Sequence, residues 1–465
     1  FTHNEDAVER IETKMGIVSD VVKDMRAIDP TRPICFDSGY SRKQVHHEHD
    51  NTFFERFDDG DIDDGHNYSG WYHSSLFDNF EGKPFMDRKT PGRPMISQEW
   101  STGYPNTETG HHTRSYLWQH QNTQTHVGNQ AYPFGDPKYS LENNAFLTSE
   151  LAEAVRRTHE KLAGMHNFSS ITWFRNVYDA ERVEPYPTYY RMKNSLNPVL
   201  VSAELWGRHF YAGKQLPTRF CIVNDKVDGN TLAPSTLVWE ITHRDGRVLA
   251  TGNYDIPEVG HYSRHWVTPE ITIPDGFNGD RLDGELKLYL MQNGKELSRN
   301  NYDLVVAKQA WVAPKGIALK KIALVDFSKN TAPLLDYLNV KYAAVNSIKN
   351  AFKQKADLVI ISGIVQVSNL SKEERDLINK ELKKGATILL LNTGKEAVGI
   401  FPAYIRDYLK KPLETAHIDI PESGIFNEIK HMDLRYFNND KNKKPLVYSG
   451  LYHVHIYVHN LRLTR

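Results

Sequence analysis

The sequence predicts a multidomain chain that joins α/β parts to an all-β part, and three observations predict it. Strand-like and helix-like segments alternate over residues 1–195, short alternating strands replace them from Pro198, and continuous apolar strands alternating with helices return from Lys320. At 465 residues the chain is roughly two to four times the usual domain size, which agrees with two or three separate cores. The expected domains are 1–197, 198–312 and 317–465.

In the first region Val8, Ile11, Met15, Val18, Val22 and Met25 recur at steps of three or four, which predicts an amphipathic helix over 6–29. Asp29-Pro30 ends it, because a residue before proline is pushed out of the α region. Pro33–Phe36 and Pro94–Ser97 have strand length and composition, the second running into Gln98-Glu99-Trp100. Thr148 or Ser149 is placed to cap a helix with Leu151, Val155, Leu162 and Met165 on its apolar face and Gly164 near its end. Ile171–Phe174 is then predicted as a further strand.

The second region reads as strands at Val199–Leu205, Arg219–Val223, Thr236–Thr242, Arg247–Gly252, Trp266–Ile273 and Glu285–Met291. Asp245-Gly246 and Asn293-Gly294 stand between strands as hairpin turns that need positive φ. About 115 residues of this pattern suit one immunoglobulin-like β-sandwich. In the third region the apolar runs at 320–326, 357–363 and 386–391, with a helix at Ser371–Lys384, predict a doubly wound α/β domain of flavodoxin-like or amidotransferase-like type. It has no cysteine, no Gly-x-Ser-x-Gly elbow and no Gly-x-Gly-x-x-Gly fingerprint, so it reads as a structural module packed against the first domain or a second subunit. Beyond about Ile400 the pattern weakens, and Tyr452–Arg465 alternates without an obvious partner strand.

Lys plus Arg number 57 against 58 Asp plus Glu, a net charge of −1, which argues against nucleic acid or an anionic membrane surface as partner. No apolar run approaches the roughly 20 residues of a membrane helix. Cys35 and Cys221 stand far apart, which suits two free thiols and leaves neither a disulfide framework nor a cysteine zinc site. The cluster His46-His47-Glu48-His49-Asp50 lacks helical ligand spacing and reads as a solvated loop, as does His111-His112. The acidic run Asp58–Asp64 misses the calcium-loop pattern and reads as a mobile loop. Phe1–Glu5 shows no leader features, so any export signal lies upstream or never existed.

Two carboxylates end candidate strands, Glu5 and Glu99, although each alone is one acid among 58. Between them His66-Asn67-Tyr68-Ser69-Gly70-Trp71-Tyr72 mixes amide, imidazole and aromatic groups. Sugars present hydroxyl edges and apolar C–H faces, and that mixture serves both.

Taken in order, Asn4-Glu5, the helix into Asp29-Pro30-Thr31-Arg32-Pro33, Asn67–Tyr72 and Ile96–Trp100 resemble the second half of the barrel of family 2 glycoside hydrolases, which include β-galactosidases, β-glucuronidases and β-mannosidases. The resemblance covers residues 1 to about 195 and implies the second half of a (β/α)8 TIM barrel there. It implies Glu5 as acid/base, Glu99 as nucleophile, Asn4 at the sugar 2-hydroxyl, Tyr68 against the nucleophile, and Trp173, on the last barrel strand, lining the sugar subsite. His66 is added as a substrate contact from its neighbours alone. Gln98-Glu99-Trp100 departs from the smaller residue before the glutamate, and the Tyr-Gly after it, that many members carry.

The implied activity is retaining, exo-acting hydrolysis of a terminal β-linked sugar in a glycoside or oligosaccharide, a β-galactoside first. Glucuronides are less favoured because the region lacks an Asn-x-Lys motif. Such chemistry needs two carboxyls about 5–5.5 Å apart and neither metal nor cofactor. A charged Glu99 near Glu5 would raise the acid's pKa so that it keeps its proton. Self-association is compatible with the resemblance, and a periplasmic or extracellular setting follows by analogy only. A whole barrel takes about 250 residues, so the chain alone is expected to be inactive or poorly soluble without upstream sequence. The other reading is a non-catalytic carbohydrate-binding or scaffold protein.

Overall fold

The computed structural model describes residues 12–36, 60–65, 67–68, 92–101, 103–113, 127–131, 134–158, 162–313, 320–363 and 370–391, with short stretches at 404–405, 412–413, 418, 427–434, 447–448 and 454–455. It is a mixed α/β structure with many strands. Two compact units divide it: Phe1–Phe277, Asp283–Val305 and Thr415–Lys444 form the first, and Asn278–Leu282, Val306–Glu414 and Pro445–Arg465 the second.

In the first unit α1, Glu12–Ile28, buries Val18 and Val22 and leaves Ile28 in solvent. Asp29 stops it, its Oδ1 accepting hydrogen bonds from the Thr31 amide and hydroxyl. Ile34, Cys35 and Phe36 follow, all buried, and Cys35 bridges Ile62 in parallel. The parallel sheet then comprises β1 (Asp63–Asp64), β2 (Asn67–Tyr68), β3 (Met95–Ser101) and, after α2 (Pro137–Thr158), β4 (Leu162–Asn167). β1 and β2 run along one side of β3 and β4 along the other, so order in space follows order in the chain. Parallel strands in that order bring all their carboxyl ends to one edge. Leu147, Leu151, Ala154 and Val155 of α2 cover the sheet together with Trp100 and with Met192 of α3, Pro187–Ser195.

Three sequence expectations fail here, the first being the cap, since Thr148 and Ser149 lie buried inside the helix. The helix runs from Pro137 to Thr158, and Leu162 and Met165 belong to β4, opposite Met95 and Ser97. Their spacing continues the helical stripe of Leu151 and Val155, but pairing with β3 is a tertiary gain that periodicity does not register. Residues Ile171–Trp173 lie in a 3-10 turn, not a strand, and Trp173 follows the last parallel strand. The Thr172 amide and hydroxyl both bind the Ser169 carbonyl, the local bonding by which threonine competes with a ladder.

Next, β5 (Phe174–Arg175) and β6 (Glu184–Pro185) make a small hairpin. The strands that follow are β7 (Val199–Glu204), β8 (His209–Tyr211), β9 (Arg219–Asn224), β10 (Ser235–His243), β11 (Val248–Ile256), β12 (Ser263–Val267), β13 (Arg281–Gln292) and β14 (Lys295–Ala307). They form sheets of order β11-β10-β13-β14-β8 and β12-β9-β7. Asn293 and Gly294 take φ of 50° and 74° between β13 and β14, the backbone a two-residue hairpin turn requires. β14 is absent from the sequence reading because its first half, Lys295–Asn301, is polar and strand-like only in its pairing.

The second unit holds β15 (Ile322–Asp326), α4 (Thr331–Tyr337), β16 (Ala343–Ala344), α5 (Ile348–Lys353), β17 (Leu358–Ser362), α6 (Lys372–Lys383) and β18 (Ile388–Leu391). Its strands are parallel in the order β16-β15-β17-β18. Ile322 and Leu324 meet Leu335 of α4 on one face, whereas Ala323 and Val325 meet Ile348 of α5 and Ile378 of α6 on the other. Successive strand residues alternate faces, so one apolar run serves both layers. Ser371 and Glu374 form a reciprocal cap on α6. Val454–His455, in the tail that showed no partner by sequence, pairs with Tyr404–Ile405. No helix among the described residues is long and apolar enough to cross a membrane.

Candidate active site at the carboxyl end of the parallel sheet

Glu99 lies near the carboxyl end of β3, the strand with neighbours on both sides. The ladder there is irregular. Asp64 stands opposite Ile96 and Asn67 opposite Trp100, three steps on one strand against four on β3. On the other side Met165 stands opposite Ser97 and Asn167 opposite Trp100, two steps against three. The β1–β2 side therefore counts one extra residue in β3 between Ile96 and Trp100, and the β4 side one between Ser97 and Trp100. Such a β-bulge bends the strand and re-aims its side chains. The Gln98 amide, within the bulge, donates to Asp64 Oδ1 at 2.8 Å. Ser97 Oγ donates to the Glu99 carbonyl at 3.2 Å. Trp100 is buried against α2, and Glu99 beside it is only half-buried.

The flanking strand ends complete this edge. Asn67 and Tyr68 pair opposite Trp100 and Ser101. Across β3, Asn167 donates from Nδ2 to the Trp100 carbonyl at 2.9 Å and accepts at Oδ1 from Trp173 Nε1, also at 2.9 Å. One amide thus ties the Trp173 turn to the end of the Glu99 strand. The loops beyond are joined as well: the Asn176 amide donates to the Thr107 carbonyl at 2.7 Å, Arg175 Nε to the Glu108 carbonyl at 2.8 Å, and the Tyr186 hydroxyl to the Asn106 carbonyl at 2.9 Å. Between them is an open polar cleft of about 510 Å³ lined by Glu108, Arg175, Asn176, Arg182 and Glu184.

Of the residues singled out by sequence, Glu99, the Tyr68 backbone and Trp173 meet at this edge. Asn4, Glu5 and His66 lie outside the described residues, as does His46–Asp50. His111 Nε2 is 2.9 Å from the Gly135 carbonyl, and His112 pairs with Pro105 in a bridge, so both brace the loop after β3. The described part of the acidic run is not a mobile loop. Asp63 and Asp64 form β1 and are 2% and 0% exposed, while Asp61 accepts from the Ile34 amide and pairs with Arg26. A carboxylate run looks solvated in sequence, and only these partners make its burial tolerable. Among the described residues no group of three or more His, Cys, Asp or Glu is arranged to hold a metal.

Sequence reasoning missed Asp64 and Asn167. For Asn167 a signal was present, an apolar stretch from Leu162 to Met165 ending in His166-Asn167-Phe168. For Asp64 there was none, because its role exists only through the neighbouring strand.

No protein-family model matches the chain, and no curated protein does. Solved structures similar to part of it include an exo-chitosanase of Amycolatopsis orientalis, 16% identical over 52% of this chain and 30% of that one, with a TM-score of 0.32. A β-D-mannosidase from Dictyoglomus thermophilum is 16% identical over 62% and 34% of the respective chains, with a TM-score of 0.41. A β-glucuronidase of Bacteroides uniformis is 14% identical over 65% and 31%, with a TM-score of 0.27. The chain spans about a third of the length of these structures.

Proposed function

We propose that the chain carries the nucleophile-bearing half of a retaining exo-β-glycosidase barrel, residues 1–197, followed by an immunoglobulin-like sandwich, 198–312, and a doubly wound accessory domain, 317–465. The observation that carries the reading is Glu99 at the carboxyl end of the central parallel strand, between Asn67-Tyr68 on one side and the Asn167–Trp173 clamp on the other. Carboxylates at such strand ends face the substrate in barrel enzymes.

In the proposed reaction the Glu99 carboxylate attacks the anomeric carbon while the glycosidic C–O bond breaks. Glu5, as the acid, delivers its proton to the leaving oxygen. Water then gives its proton back to Glu5 and attacks the same carbon, releasing Glu99 and a sugar of retained configuration. Trp173 would line the sugar subsite, Tyr68 would contact Glu99, and Asn4 and His66 would bind hydroxyls. A terminal β-galactoside is the first substrate to try.

The test is incubation with 2-deoxy-2-fluoro β-glycosides of galactose, glucose, mannose and glucuronic acid, followed by peptide mass spectrometry. A covalent sugar on the peptide holding Glu99 is the expected result, and the fastest-reacting member names the sugar. Sugar binding by folded protein without any adduct would instead support a carbohydrate-binding role.

A further inference from the structure

We propose that Asp64 is a positioning residue for Glu99, setting the nucleophile's aim through the bulge in β3. The inference rests on the reading of Glu99 as nucleophile. Three structural observations lead to it. Both sides of β3 count an extra residue before Trp100, and on the β4 side it falls within Gln98-Glu99. The bulged Gln98 amide donates to Asp64 Oδ1 at 2.8 Å, so a carboxylate substitutes for the strand carbonyl that a regular ladder would supply. Asp64 itself is 0% exposed.

A fully buried acid is costly unless its oxygens are used, and a bulge leaves an amide without its ladder partner. Here each requirement satisfies the other. β1, which carries Asp64, is anchored to β3 by pairing Asp63 with Met95 and Asp64 with Ile96, and the Gly65 amide donates to the Ile96 carbonyl at 3.1 Å. Asp64 is therefore held by the strand before the bulge and holds a residue within it. With that bond in place Trp100 packs against α2 while Glu99 remains half-open; without it β3 is free to slide toward regular pairing, which would turn Glu99.

A misplacement of about 1 Å at a reacting group costs on the order of 100-fold in rate. Asp64→Ala is accordingly expected to lower the inactivation rate constant of Glu99 by a 2-deoxy-2-fluoro β-glycoside on the order of 100-fold, with the inhibitor's dissociation constant nearly unchanged. Asp64→Asn keeps an oxygen able to accept from Gln98 and should stay within about threefold of the parent. If Asp64→Ala does not fold, Gln98→Pro removes the donor from the same bond and should show the same selective loss.

The parent fixes the frame of the test. No adduct on Glu99 in the parent removes the nucleophile reading and this inference with it. An adduct in the parent, with folded Asp64→Ala or Gln98→Pro labelled just as fast, overturns the inference alone. So does Asp64→Asn falling as far as Asp64→Ala, because the carboxylate charge and not the acceptor would then be at work.

Discussion

The Tyr302 hydroxyl on β14 donates to Glu153 Oε2 on α2 at 2.6 Å, joining the helical layer behind the Glu99 strand to the five-stranded sheet. Both groups are buried, and the same carboxylate accepts from Ser202 at 2.6 Å and from Ser195 and Asn300 at 2.9 Å, with Arg157 at 3.6 Å. Burial pushes the Tyr302 hydroxyl well up, so it stays a donor at every working pH. Removing Glu153 would leave four donors and a buried cation without their shared acceptor. Glu153→Ala is expected to cost about 3–5 kcal/mol in urea unfolding, and Glu153→Gln, which keeps one oxygen, about 1–3. The half-exposed Arg175–Glu184 pair makes the contrast, since Glu184→Ala should change stability by less than about 1 kcal/mol.

Asp326 predicts an acid limb. Burial would raise its carboxyl, but hydrogen bonds from the Ser328 hydroxyl and the Ala332, Thr331 and Lys329 amides outweigh that and hold it below the ordinary value of 3.8. A carboxyl depressed in the folded state binds fewer protons there, so its stabilisation is complete above the ordinary value and disappears as pH falls through it and below. Asp326→Asn should flatten the fall in unfolding midpoint below about pH 4 and leave its slope near neutrality unchanged. An unaltered acid limb would remove Asp326 as its source.

The thiols should be silent. Cys35 is 4% and Cys221 0% exposed, and burial pushes the Cys221 thiol up to about 12. A disulfide-exchange reagent at pH 8 should therefore titrate almost nothing in the native chain and both thiols, Cys35 and Cys221, after unfolding.

Gly252 and Trp239 face each other across β10 and β11, and a Cβ on Gly252 would sit 2.8 Å from the indole. The ring lies over the bare backbone. Gly252→Ala is expected to displace it and cost about 1–3 kcal/mol, read as a lower unfolding midpoint with altered tryptophan fluorescence.

For the proposed chemistry, Glu99→Gln should abolish turnover while glycoside binding persists. Glu5→Ala should slow hydrolysis about 10²–10⁴-fold for glycosides with poor leaving groups and far less for activated aryl glycosides, which need no proton. Equal losses for both substrate types would remove the acid role from Glu5.

What the sequence by itself determined are the elements whose signal is local. Apolar runs placed β15, β17 and β18 within two residues, helical spacing placed α1, and Asn293-Gly294 marked the turn between β13 and β14. Glu99 was legible too, as an acid closing a short apolar strand. Only the tertiary structure decided which surface each segment would meet. Leu162 and Met165 fit a helix or a strand equally well until β3 supplies a pairing edge, and Asp63-Asp64 looks solvated until Gln98 and Arg93 are brought to it. The bulge beside Glu99 has no sequence signature at all. It is a difference in count between three strands, and a count of that kind exists only once the strands lie side by side.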